Sequence, residues 1–232
     1  MKTYIWTAPT RIFHWLLAVG FTVAFILGDF DNLSNLHFAF GAFVGALLFF
    51  RILFGLFGPT YSTFKDFPIG LKSQREFINS FFSKGKIFAG HNPAASVIML
   101  SIFFVGIICS MSGYFLYANE NNVLNIGINE DALEELHEIT ANLFLILVVI
   151  HLLGILAETF FHKKTGTLQS IFTGYKNIES KNAKLNGFHK IFIVLWLIIP
   201  FYVSYLAYGL PVNTKEQENK IENNEYYDND DD

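Results

Sequence analysis

The chain has 232 residues, of which 52% are hydrophobic, 17% aromatic and only 16% charged, and its formal net charge is −4. Soluble domains carry closer to a quarter of charged residues, so this composition excludes an ordinary soluble protein, and we expect no nucleic-acid partner. Cys109 is the only cysteine, which excludes an internal disulfide, an iron–sulfur cluster built from this chain alone and a covalent CxxCH haem site.

Five apolar runs predict an all-α, polytopic membrane protein, because each is long enough to cross a bilayer as a helix. They cover approximately residues 12–28, 36–57, 94–118, 136–161 and 188–210. The first run lacks a small-x-small cleavage site, which favours a retained helix over a signal peptide. Asn92 and Pro93 have the residue types of a helix cap and a first helical position, so they predict where the third helix begins.

The segments between and after these runs differ in charge. Residues 58–92 interleave basic and phenylalanine residues, a pattern typical of an amphipathic segment on the membrane surface. Fourteen of the 16 Lys and Arg lie at the N-terminus, in this segment, in residues 162–190 or at helix ends bordering them. The positive-inside rule therefore predicts a cytoplasmic N-terminus and an outer C-terminal tail. That tail, residues 211–232, is acidic and is predicted to be disordered.

Four histidines fall in two pairs at matched predicted depths: His14 with His151 near the cytoplasmic side, and His37 with His137 near the outer side. Fourteen residues separate His137 from His151, which returns them to within roughly 40° of one helix face, about 21 Å apart. Intramembrane histidines are functional candidates, and imidazole is an axial ligand of haem iron. Two non-covalent haem b groups, each held by one pair, would use all four.

Other polar residues near these pairs have two interpretations each. Arg51 lies fourteen residues after His37 and is predicted to bind a haem propionate, as Arg11 would, although both side chains could instead extend to the interface. His91 is either a loop residue or a contact to a propionate or quinone. Glu158 either relays protons to a quinone, pairs with Lys163 or faces water.

Several motifs together resemble one known family. The motifs lie between residue 4 and about residue 177 and are RIFHW, LHFAFG, FFRILFGLFGP, GHNP, HEITANLFLILVVIHLLG and TLQSIFTGYK. Together they are similar to those of the bacterial cytochrome b-561 and nickel–iron hydrogenase b-type cytochrome family. The resemblance implies a four-helix transmembrane bundle with two b haems that exchanges electrons with membrane quinone. By position in these motifs, it implies His14, His37, His137 and His151 as the iron ligands.

The resemblance also implies a division of the chain, a location and partners. Residues 1–177 would form the di-haem domain, residues 178–210 would add a fifth membrane helix beyond the usual family end, and residues 211–232 would form the tail. The protein would lie in the bacterial inner membrane, with the tail in the periplasm. It would serve as the electron-transfer subunit of a quinone-linked oxidoreductase, with a c-type cytochrome or hydrogenase-like protein as its periplasmic partner.

Two other functions are compatible with histidines in a membrane. A transporter would use them to bind a metal or to relay protons, but it would not need ligands matched in depth. An anchor subunit with little redox role predicts that the histidines can be replaced without spectral consequence.

Overall fold

The fold is helical, with one short strand pair. The computed structural model describes residues 1–80, 87–121, 123–124 and 127–211. In chain order the elements are β1 (Thr3–Tyr4), α1 (Ala8–Leu27), α2 (Ser34–Phe57), α3 (Leu71–Ser80), α4 (Pro93–Glu120), α5 (Glu130–Phe161), α6 (Thr167–Thr173), β2 (Tyr175–Lys176) and α7 (Gly187–Tyr208). Within the described residues, α1, α2, α4, α5 and α7 are long and apolar enough to cross a membrane.

Each predicted span falls on one of these five helices, but α5 begins at Glu130, six residues before the predicted start. The prediction that His137 lies at the beginning of its helix was therefore wrong, because it lies about two turns inside. The reason is a cap that the apolar pattern does not reveal. The Asn129 side chain accepts a hydrogen bond from the backbone N–H of Asp131 at 2.8 Å, and Glu130 and Asp131 suit the positive end of the helix dipole.

The third membrane helix begins where its cap residues predicted. The side chain of Asn92 accepts the backbone N–H of Ala95 at 2.8 Å, and Pro93 occupies the first helical position. Helix α3 lies in the predicted amphipathic segment, and Gln74 on α3 donates to the Pro93 carbonyl at 2.9 Å. The tail, residues 211–232, is predicted to be disordered. From residue 212 onward it lies outside the residues that the structure describes.

Helix α2 is the centre of the bundle, because it packs against α1, α4 and α7, while α5 packs mainly against α4. Its residues Leu47, Leu48 and Phe54 are almost completely buried. Helix packing in lipid depends on close backbone approach, which small residues allow. A Cβ at Gly106 of α4 would lie only 2.6 Å from both Leu48 and Phe144, so this glycine is required where α2, α4 and α5 meet.

The N-terminus is tied to the segment after α5. Strands β1 and β2 pair antiparallel, with Thr3 opposite Lys176. The indole nitrogen of Trp6 donates to Ser170 Oγ at 3.0 Å in a buried contact, and Gly174 has a φ of +87° that brings its backbone against Tyr4. These contacts lie at one end of the bundle, where α1, α4 and α7 begin and where α2 and α5 end. We call this end the proximal end. The opposite end is the distal end.

The fifth membrane helix, α7, packs along α2. Phe192 and Trp196 stack on Phe54, and Phe192 also meets Phe57. His189 accepts the backbone N–H of Asn186 and makes a 2.9 Å hydrogen bond to the Phe57 carbonyl. His189 is thus a capping and docking residue of α7.

Candidate cofactor-binding site

At the distal end, the structure brings His37 of α2 next to His137 of α5. Their ring centres are 5.9 Å apart and their planes are nearly perpendicular. His37 Nδ1 donates to the Ala24 carbonyl at 2.8 Å, and His137 Nδ1 donates to the Cys109 carbonyl at 2.9 Å. Each ring therefore keeps its Nε2 lone pair for a ligand. Metal-binding histidines typically have their second nitrogen held by a carbonyl in this way.

At the proximal end, His14 of α1 and His151 of α5 form the second pair, with ring centres 6.4 Å apart. His14 Nδ1 is buried and has no hydrogen-bond partner among the described residues. Leaving such a group unsatisfied costs about 1–3 kcal/mol, so it calls for a partner that the protein itself does not supply.

The spacing of both pairs suits a metal atom between the two rings. With metal–nitrogen bonds of about 2 Å on each side, the centres of two axial imidazoles lie roughly 6 Å apart. Within the described part of the chain, no group of three or more His, Cys, Asp or Glu side chains is placed to hold a metal ion. A bare zinc ion takes about four ligands. Two-ligand sites of this kind fit a cofactor, such as haem, that brings its remaining donors with it.

Helix packing leaves room beside the histidines. Helix α5 packs along α4, and in the described residues it has no comparably extensive backbone contact with α1 or α2, which carry the partner histidines. A Cβ at Gly41, one turn after His37, or at Gly154, one turn after His151, would meet nothing within 4 Å. Gly45, two turns after His37, instead faces Ser110 of α4 and serves helix packing.

Gly113 of α4 supports the His137 ring directly. A Cβ built at this glycine would lie 2.8 Å from His137 Cε1 and 3.0 Å from Nδ1, closer than real Cβ contacts allow. The absence of a side chain at Gly113 therefore sets the position of the imidazole. Sequence reasoning missed this residue, because a glycine within an apolar run is usually a packing residue.

We expect Gly113→Ala to displace the His137 ring and to lower occupancy of the distal site at least severalfold. Alanine favours the helix by about 1 kcal/mol relative to glycine, so the fold itself should persist. Cofactor content per chain, measured by absorbance after purification, tests this. Gly187→Ala, on α7 and so outside the helices that carry the histidine pairs, is the matched control, because a Cβ there meets nothing within 4 Å. Equal occupancy in both variants would contradict the role of Gly113.

Arg51 is a buried cation at the proximal end. It is 2% exposed, its guanidinium lies 5.1 Å from the centre of the Phe103 ring and 6.0 Å from that of Phe13, and Nη1 has no partner among the described residues. Aromatic faces stabilise a cation, but they do not satisfy its N–H donors. Arg51, His14 and His151 all act electrostatically on the same residue, His91, so an anion beside the His14–His151 pair is the natural partner for Arg51.

Arg11 and His91 lie around the same pair. Arg11 donates from Nη1 to the Phe172 carbonyl, while its Nε is buried without a partner among the described residues. The His91 ring lies between Trp6 and Phe67, and its Nδ1 is likewise unpartnered. Burial, together with Arg51 and other nearby cationic groups, holds the pKa of His91 well below its ordinary value, so this ring is neutral at pH 7.

Lys176 is a site residue that sequence reasoning missed. It is 5% exposed, its Nζ donates to the Gly90 carbonyl at 2.9 Å, and it lies 5.6 Å from the Trp6 ring centre. Burial lowers its pKa from 10.5 to about 8, against the effect of the Glu158 carboxylate. Lys176 is one of the basic residues counted in residues 162–190, and its side chain is buried rather than exposed. Its place in the TLQSIFTGYK motif is the sequence signal that sets it apart.

Glu158 takes partners other than the predicted Lys163. Its Oε2 accepts from Asn92 Nδ2 at 3.3 Å and lies 3.4 Å from His162 Nδ1. The Lys163 ammonium lies over the Phe160 ring instead. The carboxylate therefore belongs to a polar group at the proximal end, which also includes Lys176.

The family model for prokaryotic cytochrome b561 matches residues 5–174. The chain is also similar to a protein of Rhodobacter capsulatus described as a probable Ni/Fe-hydrogenase B-type cytochrome subunit, with 23% identity over 218 residues that cover 77% of this chain and 82% of that protein. No solved structure matches significantly.

Proposed function

The chain belongs to the prokaryotic cytochrome b561 family, and we propose that it carries electrons across the membrane through two haem b groups, each held by one histidine pair. The observation that carries this proposal is the pairing itself. His14 with His151 and His37 with His137 have ring centres 6.4 and 5.9 Å apart, at opposite ends of the bundle. When bound, haem supplies a one-electron iron centre whose potential depends on its ligands and surroundings.

In this proposal the protein holds each haem without covalent bonds. The Nε2 atoms of His37 and His137 would bind the distal iron, with both rings oriented by their carbonyl partners. His14 and His151 would bind the proximal iron. Arg51, with Arg11 and His91 beside it, would face the propionates of the proximal haem, because charge-assisted contacts to carboxylates satisfy buried guanidinium N–H groups.

Orientation and partners extend the proposal. The described residues of the basic segments are at the proximal end, so the positive-inside rule puts that end in the cytoplasm of a bacterial inner membrane and the distal end in the periplasm. Electrons would pass between a periplasmic redox protein and membrane quinone. The relative's printed name favours a hydrogenase-like partner, and a c-type cytochrome is the other candidate. Residues 1–177 would form the di-haem unit, with α7 as an added helix.

The transporter alternative is less well supported by the site. Each histidine pair offers two ligands, and within the described residues no group of three or more His, Cys, Asp or Glu side chains is placed to hold a metal ion. A transition-metal ion bound during transport would lack most of its coordination sphere. A cofactor with its own equatorial donors removes that difficulty.

The test is a reduced-minus-oxidised spectrum of the purified full-length protein with pyridine haemochrome quantification. We expect close to two b haems per chain, with the sharp reduced bands of bis-histidine ligation. A well-folded sample purified from haem-replete cells that contained no haem would contradict the proposal. The next assay would then be metal transport in vesicles.

A further inference from the structure

A polar cluster at the proximal end lies beyond the histidine pair and is not used in holding a haem. Its centre is Glu158, seven residues after His151 and therefore on the same face of α5, two turns further along. Its side chain is only 12% exposed. A carboxylate so deeply placed at the end of a membrane helix is costly unless it has partners or a function.

The partners of Glu158 come from three parts of the chain. Asn92, before α4, donates to its Oε2 at 3.3 Å, and His162, at the end of α5, has Nδ1 3.4 Å from the same oxygen. Lys176 of β2 interacts with it electrostatically. The carboxylate remains accessible to a proton carrier, because its side chain is 12% exposed and that of His162, in contact with it, is 17% exposed.

Two members of the cluster, His162 and Glu158, can carry a proton. Asn92 holds the carboxylate by a hydrogen bond and is next to His91 in the chain. Lys176 is a further titratable group that acts on the carboxylate, and with a pKa of about 8 it too changes charge near neutral pH. Lys176 and Arg51 also act on His91, which is neutral.

We propose that Glu158 and His162 accept the protons of a quinol that is oxidised beside the His14–His151 pair, and return them when quinone is reduced. The inference rests on the proposed function, which supplies the electron acceptors. Oxidation of the quinol to quinone breaks two O–H bonds and releases two electrons and two protons. The two electrons would go to the cofactors held by the two histidine pairs, one to each. Each proton passes from the quinol hydroxyl to Glu158, then to His162 and to water at the proximal end.

The experiment compares the full-length, haem-loaded protein with Glu158→Gln. This change keeps the acceptor for Asn92 but removes the proton carrier. Duroquinol-driven haem reduction is followed by stopped flow between about pH 6 and 8.5. We expect reduction to slow about a hundredfold, as the loss of a general base predicts, and to lose its pH dependence. Haem content and the dithionite-reduced spectrum should not change. The matched control is Glu179→Gln, an exposed glutamate on the same side of the protein.

Infrared difference spectra supply a readout other than rate. On reaction with duroquinol, the wild-type protein should show a protonated-carboxyl C=O band that shifts in D₂O and is missing from Glu158→Gln. If Glu158→Gln fails to fold, His162→Gln replaces it, with an expected slowing of about tenfold or more and a normal haem spectrum.

The outcomes separate this inference from the proposed function. A wild-type protein without haem would contradict the proposed function. If the wild-type protein holds two haems but duroquinol reduces the Glu158→Gln variant at the wild-type rate at every pH, only the proton-transfer role is overturned. The same conclusion holds for His162→Gln where that variant replaces Glu158→Gln. An infrared spectrum without a Glu158 carboxyl band would overturn it too.

Discussion

Replacing His137 with leucine is expected to reduce the haem content of the purified protein from two per chain to one. The variant removes one axial ligand of the distal pair and leaves His14 and His151 in place at the other end of the bundle. A haem with a single protein ligand loses most of its affinity, whereas the proximal haem keeps both ligands. His37→Leu should give the same result, because His37 and His137 serve one metal atom.

The measurement is pyridine haemochrome quantification together with a redox titration of the remaining haem. The wild-type protein should titrate as two centres and the His137→Leu variant as one. His189→Gln is the control, since His189 lies outside both pairs and serves to cap and dock α7. Loss of both haems from a folded variant, or retention of both, would contradict the assignment of separate pairs.

The membrane helices and the pairing of histidines were predictable, because both depend on one-dimensional regularities. A run of apolar residues long enough to cross a bilayer can hardly be anything but a helix. Because successive membrane helices alternate in direction, the position of a residue within its helix predicts its depth in the membrane. For this reason His14 could be assigned to the level of His151, and the structure brings the two rings together.

Features that depend on distant contacts were not predictable. Apart from its place in the TLQSIFTGYK motif, nothing local indicates that Lys176 is buried. Its burial results from the pairing of β2 with β1, across more than 170 residues of chain, and from the Gly90 carbonyl. Likewise, Gly113 matters only because His137 of another helix rests against it. The early start of α5 was missed for a different reason, since its first two turns are polar and its cap is a single asparagine.

Replacing Arg51 with leucine should lower the midpoint potential of the proximal haem, on the order of tens of mV, by removing a positive charge close to the iron. A cation stabilises the reduced form, which carries one more electron, so its loss makes reduction harder. The effect should be large for a single charge, because Arg51 is fully enclosed by protein and aromatic rings and water does not screen it.

Three comparisons isolate this effect. Arg51→Lys keeps the charge but not the forked geometry of the guanidinium, so the potential should fall less than in Arg51→Leu. Arg75→Leu removes an exposed arginine on α3 and should leave both potentials unchanged. The distal haem, at the other end of the bundle, should not respond to any of the three.

The result also decides what the buried cation does. If Arg51 faces a haem propionate, the apoprotein carries an unpaired buried charge that haem binding neutralises. Arg51→Leu should then stabilise the apoprotein, which thermal unfolding can measure. The same change should weaken retention of the proximal haem, which the rate of haem loss can measure. An unchanged potential with normal haem retention would mean that the aromatic rings of Phe13, Phe64 and Phe103 alone stabilise the charge.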